Sequence, residues 1–200
     1  MKKLITAIVC LASLSSFAQN AASYSLTTPR GWSAERSSLA SRISPNGVED
    51  LRLAPGWNDS KSNAYWTYAS LWTLDGDQKT DEKTMEKNLA FYLTDMLNKS
   101  MKKGKTSTVK TSSVKAWVTE LNNEKGDFQT YFGAIAIPNA KGQMPTSLHC
   151  LIHVRKYPGQ NKTLIFYEFS PNPLNDTSWA SLDQLWSEFD NSPSQKHNSN

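Results

Sequence analysis

His149 and His153 stand four residues apart in "SLHCLIHV", a spacing that on a helix would turn two imidazoles toward one metal ion. The residues around them read instead as a strand, where four positions span roughly 13 Å. Two imidazoles that must each reach a zinc at ~2.0–2.1 Å cannot share it across that gap without further ligands. Cys150 lies between them, and a nucleophilic thiol needs an activating base beside it. His149, as its neighbour on a strand, points to the opposite face, so Cys150 reads as a buried structural cysteine. "DGDQKTDEKTME" places Asp75, Asp77 and Glu86 at positions one, three and twelve of a calcium-type loop. Lys79 and Thr80 then stand where an oxygen ligand and a glycine are needed. Neither motif implies a metal, and no cofactor is expected.

The densest stretch is "GVEDLRLAPGWNDSKSNAYWTYASLWTLDGD", residues 47–77. Glu49 and Asp50 adjoin Arg52, but a glycosidase needs two opposed carboxylates at a controlled separation. Adjacent strand residues face opposite ways, so ion pairs that fix the following turn are the simpler use of these charges. Trp57, Trp66, Tyr68 and Trp72 can form a flat platform for sugar or peptide, since tryptophan offers an apolar face and a donor. They can equally fill a covered sheet. The candidate ligand- or partner-binding set is therefore Trp57, Trp66 and Tyr68 with Glu49, Asp50 and Arg52, centred on the 54–66 loop. No residue is assigned a catalytic role. Lys99, Lys102, Lys103, Lys105, Lys110 and Lys115 form a run without an acid, which serves a helix end and a solvated strand face or meets an anionic partner.

The elements that would position these residues follow from periodicity. Residues 24–46 are a Ser-rich lead-in with one short strand. Val48 to Leu53 reads as a strand, and Ala54-Pro55-Gly56-Trp57 as a turn in which glycine accepts positive φ. From Ala64 to Leu74 the two alternating faces are both weakly polar, as in a strand covered on both sides. Thr80 is placed to cap a long helix carrying Met85, Leu89, Tyr92, Leu93, Met96 and Leu97 at helical spacing. Four further strands are expected at about 107–121, 127–137, 146–157 and 162–170. The short loops between them favour antiparallel hairpins. Asn175 or Asp176 can cap a final helix with Trp179, Leu182, Leu185, Trp186 and Phe189 on one face. The fold class is α+β, a largely antiparallel sheet with a long helix after the first main strand and a C-terminal helix.

Lys2 and Lys3, the apolar run Leu4–Leu14 and the small residues Ser16 and Ala18 have the form of a cleavable signal peptide, too short for a membrane span. Cleavage after Ala18 leaves one domain, 19–190, with a polar tail, 191–200. Without Lys2 and Lys3 the 22 basic residues fall to 20 against 18 acidic ones. That balance argues against nucleic acid as partner. Cys150 would then be the lone cysteine, so no internal disulfide is expected.

The element order, with the ending "TLIFYEFSPNPLNDTSWASLDQLWSEFD", resembles the Mog1/PsbP-like sandwich, over roughly residues 24–190. "GVEDLRLAPGW" also resembles a recurring stretch of uncharacterised exported bacterial proteins. The first resemblance implies a binding, assembly or chaperone role, not an activity. The expectation is an exported, periplasmic or secreted, monomeric binding or assembly module. It would meet a protein or polysaccharide partner and carry no transmembrane anchor. The alternative is a small hydrolase of envelope polymer using Glu49, Asp50 or Asp75. Intact-mass measurement on exported material is expected to give a chain starting at Gln19, and a soluble protein that keeps residues 1–18 would reject the export reading.

Overall fold

A computed structural model describes residues 24–101, 113–123, 126–137 and 145–191. Residues 1–23 with the leader, 102–112 with most of the basic run, 124–125, 138–144 and 192–200 lie outside these. Seven strands form one antiparallel sheet: β1 Ser33–Ser37, β2 Val48–Leu53, β3 Tyr68–Asp75, β4 Lys115–Leu121, β5 Gln129–Ala136, β6 Ser147–Tyr157 and β7 Lys162–Ser170. Helix α1, Glu82–Met101, follows β3, and α2, Ser178–Asn191, closes the chain. The spatial order is β1-β2-β3-β7-β6-β5-β4, so two meanders meet where β3 pairs with β7. The fold is α+β, and α2 extends through Asn191, the first residue assigned to the tail.

Strict alternation explains why both sheet faces need a helix. Tyr68, Trp72 and Leu74 of β3 join Tyr167 and Phe169 of β7 and Cys150 and Ile152 of β6 in the core beneath α1. Ala69 and Leu71 point the other way, with Leu164 and Phe166, into a second core under Trp179, Leu182, Leu185, Trp186 and Phe189 of α2. A strand apolar on both faces must be covered on both, as the Ala64–Leu74 pattern implied. That strand starts only at Tyr68, because Ala54 to Thr67 fold as successive turns ending in a bond from Trp66 N–H to the Trp57 carbonyl at 2.7 Å. Pro55-Gly56 makes the expected turn, with Gly56 at φ +81° and Trp57 N–H bonded to the Ala54 carbonyl.

Two local details shape the packing under α1, and the first departs from sequence expectation. Asp81, not Thr80, caps α1: its Oδ1 accepts the Thr84 N–H at 2.8 Å. Thr80 is taken by tertiary partners, its hydroxyl donating to Gln129 at 2.6 Å and its carbonyl accepting the Tyr131 hydroxyl at 2.5 Å. The second detail is Gly133 in mid-strand. A Cβ there would overlap Sγ of Cys150, so the glycine makes room for the thiol beneath α1.

The sheet edge at β4 is closed by α1. Glu86 accepts the Val118 N–H at 3.2 Å and Glu82 accepts the Glu120 N–H at 3.0 Å. Four helical residues, just over one turn, advance ~6 Å. Alternate strand amides recur every ~6.6 Å. Carboxylates at i and i+4 therefore match the unpaired donors of an edge strand, which otherwise invites pairing with another chain. Replacing Glu82 and Glu86 together by alanine is expected to cost about 1–2 kcal/mol and to cause concentration-dependent self-association in analytical ultracentrifugation. A double variant as stable and as dispersed as the parent would show that these bonds do not guard the edge.

Candidate functional site: an uncovered half of the sheet

The charged residues singled out in the sequence are consumed by the fold. Glu49 is fully buried under α1, where it accepts Ser70 Oγ at 2.8 Å and Trp72 Nε1 at 3.3 Å. Burial pushes the hydroxyls of Tyr68 and Tyr92 well above the ordinary tyrosine range, and the charge of Glu49 adds to the rise at both. Asp50 and Arg52 face the opposite side and pair at 2.6 Å. Asp50 also accepts the Leu26 N–H at 2.8 Å, and Arg52 donates to the carbonyls of Leu26 and Thr27. This pair fastens the lead-in to the sheet and not the Pro-Gly turn, because its partners are the backbone of Leu26 and Thr27.

The aromatics of the same set are mostly interior. Trp66 and Tyr68 are buried, and Tyr68 stacks on Phe169 with ring centroids 4.6 Å apart. Trp66 adopts φ +53°, rare for a bulky residue. Trp57 is half-buried and packs edge-on against it at 6.2 Å. The 54–66 loop brings Trp57, Trp66 and Tyr68 together, while Glu49 and the Asp50–Arg52 pair lie on opposite faces of β2.

The residues of the calcium-like loop are likewise dispersed. Asp75 pairs with Lys162 and accepts Asn46, which hold its carboxyl below the usual range. Asp77 pairs with Lys156, and Glu86 serves the β4 edge. The histidines part as a strand requires. His149 Nδ1 meets the Asn172 carbonyl at 3.1 Å, and His153 enters a different cluster. Cys150 lies on the other face, and burial raises its thiol far above the range of a reactive cysteine.

His153 is the centre of a buried ionic cluster that the sequence did not announce. Its Nδ1 contacts Asp127 Oδ2 at 2.8 Å, and Glu168 of β7 approaches Nε2 at 3.5 Å. Arg155 reaches Asp127 at 3.3 Å and lies over the Trp186 ring, 4.2 Å from its centroid. Trp186 stacks on Phe166 at 4.9 Å and faces His153 at 5.1 Å. The cluster thus ties the turn before β5, strands β6 and β7, and α2 together. Burial alone would lower the imidazole's value, but the bonds and charges of Asp127 and Glu168 carry it to about 9. Burial raises the Glu168 carboxyl to about 7 against the opposing effect of His153, with Asp183 of α2 adding to the rise. These groups bury their charges in one another and in α2; they present no nucleophile.

Among the described residues, the part of the α2 face over β4, β5 and the first residues of β6 is left open. Helix α2 lies over β7 and β3, its Trp186 reaches His153 and Arg155 of β6, and Leu151 packs against the same core. Beyond it, register sets Trp117 of β4 beside Ala134 of β5 and His149 of β6, and Thr119 beside Phe132 and Leu151. Trp117 is 57% exposed and Leu121 41%. Phe132, His149 and Leu151 are half-buried, with the Phe132 and His149 rings 5.8 Å apart. Scattered exposed apolar residues are ordinary; here they line up as one strip across neighbouring strands. The signal was present in "KAWVTEL", where alternation puts Trp117, Thr119 and Leu121 on one face, yet nothing in those residues says that the face lacks a cover. Comparison with family models, curated proteins and solved structures gave no match.

Both shifted groups of the buried cluster bind protons more tightly when folded. Glu168 therefore stabilises the fold fully below about 4.5 and loses that contribution as pH rises through about 7. His153 contributes fully below about 6.5 and loses it as pH rises through about 9. Urea denaturation of the parent is expected to lose on the order of 2 kcal/mol between pH 6.5 and 9, and His153→Gln should flatten that slope. A parent whose stability is constant across this window would refute the charged state assigned to His153.

Proposed function

We propose that the protein is an exported, non-catalytic binding or assembly module that docks its partner on the open face of β4, β5 and β6. The observation that carries this reading is Trp117, 57% exposed on a strand held rigid by β5 and α1. A tryptophan fixed on a sheet loses little conformational entropy on binding and is the residue type most enriched among interface hot spots. Supporting it, the acids of the hydrolase alternative, Glu49, Asp50 and Asp75, are buried, ion-paired or both. Among the described residues no helix is long and apolar enough to cross a membrane. The likeness of element order to the Mog1/PsbP-like sandwich belongs to the same proposal. Relative to the sequence reading, the surface moves from Trp57 to Trp117, because Trp57 packs against Trp66.

Affinity capture from the native envelope or medium, with parent, Trp117→Ala and Trp57→Ala as baits, tests this. Trp117→Ala is expected to weaken capture by about 2 kcal/mol or more with an unchanged melting temperature. Trp57→Ala should keep capture and lose stability. Equal capture by Trp117→Ala and the parent would remove the surface from consideration.

A further inference from the structure

Resting on that docking surface, we propose that its occupant is a single amphipathic helix of a partner protein, about 15 residues long, lying beside α2 and completing the helical layer on this face. Width is the first argument. From β4 to β6 the open strip spans two interstrand gaps, roughly 9.6 Å. A helix with its side chains is about 10–12 Å across. Length agrees, since the seven residues of β4, Lys115–Leu121, extend about 23 Å, the rise of about 15 helical residues. On the same face α2 already shows the mode: Trp179, Leu182, Trp186 and Phe189 seat a helix on β3 and β7. An incoming helix would repeat it with apolar residues at i, i+3, i+4 and i+7 against Trp117, Phe132 and Leu151.

The other occupants fit less well. A footprint of about 10 by 23 Å is near 230 Å², well short of the ~800 Å² per partner of a stable protein pair, so a second copy face to face gains too little. A helix avoids this limit by also burying its side against α2. A sugar chain needs polar groups around its stacking platform. The strip carries Lys115, Thr119, Ser147 and His149, whose Nδ1 is engaged with Asn172, and among its described residues no carboxylate to hold the hydroxyls of a sugar. Pairing at the β4 edge is obstructed by Glu82 and Glu86. Charge sets the polarity of the guest. Asp183, exposed on the flank of α2 that carries Trp179 and Trp186, lies close enough to Glu168 to raise its carboxyl. Asp183 calls for Lys or Arg on the flank of the incoming helix that faces α2, and the exposed Lys115 for an acid on the flank over β4.

Two synthetic 16-residue peptides of identical composition, rich in Leu and Lys, distinguish the possibilities. One has leucines at i, i+3, i+4 and i+7 with lysines on one flank; the other has the same residues in an order without a stripe. Titration calorimetry on the protein is expected to show the striped peptide binding at least tenfold tighter. Trp117→Ala should abolish that preference, and Asp183→Asn should weaken it about threefold. Equal binding of the two peptides, or a preference that survives Trp117→Ala, would overturn the inference. Binding of a cello-hexasaccharide that depends on Trp117, with neither peptide bound, would also overturn it while leaving the docking surface standing. Trp117-dependent dimerisation in ultracentrifugation would overturn it in favour of a second copy.

Discussion

The pairing of β3 with β7 is the constraint on which the rest of the molecule depends. It joins residues some ninety positions apart, from Tyr68 opposite Phe169 to Asp75 opposite Lys162. Closing so long a loop carries an entropic cost, offset along this seam by large side chains on both faces. Trp72, Tyr167 and Phe169 stack beneath α1, and Leu71, Leu164 and Phe166 beneath α2. The Asp75–Lys162 ion pair closes one end and the Tyr68–Phe169 stack the other. Helix α2 sits on this seam, where the apolar area is greatest. Helix α1 is drawn toward β4, where its glutamates meet the edge amides. The two helices are thus offset across the sheet, and among the described residues the strip over β4, β5 and the start of β6 is left bare.

Buried charge in this protein follows topology. Each buried set is placed where separate parts of the chain must be held in one arrangement: Asp50–Arg52 on the lead-in, Asp127–His153–Arg155–Glu168 between the second meander and α2, Glu49 with Ser70 and Trp72 beneath α1. Such groups are costly to desolvate and stay in place only when their partners are supplied. That explains how a chain can be rich in suggestive acids and histidines while its interior acids and His153 serve as ties between segments.

Much of the architecture was legible because it rests on local pattern. The double-sided apolar alternation of β3, the helical spacing from Met85 to Leu97 and the short loops among the last four strands each state their element without reference to the others. Legibility ended where partners are distant. Thr80 reads as a cap until Gln129 and Tyr131 claim it. Asp127 and His153 meet only because β5 pairs with β6, so no local motif marks them. Trp57 stands in a polar loop and reads as exposed, whereas Trp66, turned inward at positive φ, covers it. Trp117 reads as an ordinary strand residue, since exposure depends on where α2 finally lies.

Oxidative footprinting of the seven tryptophans measures the central claim most directly, because it asks which indoles solvent reaches. On the purified protein Trp117 should oxidise first, Trp32 and Trp57 more slowly, and Trp66, Trp72, Trp179 and Trp186 only on unfolding. Protection of Trp117 to the level of Trp72 would mean that the β4–β6 face is covered, and the uncovered half-sheet would not exist.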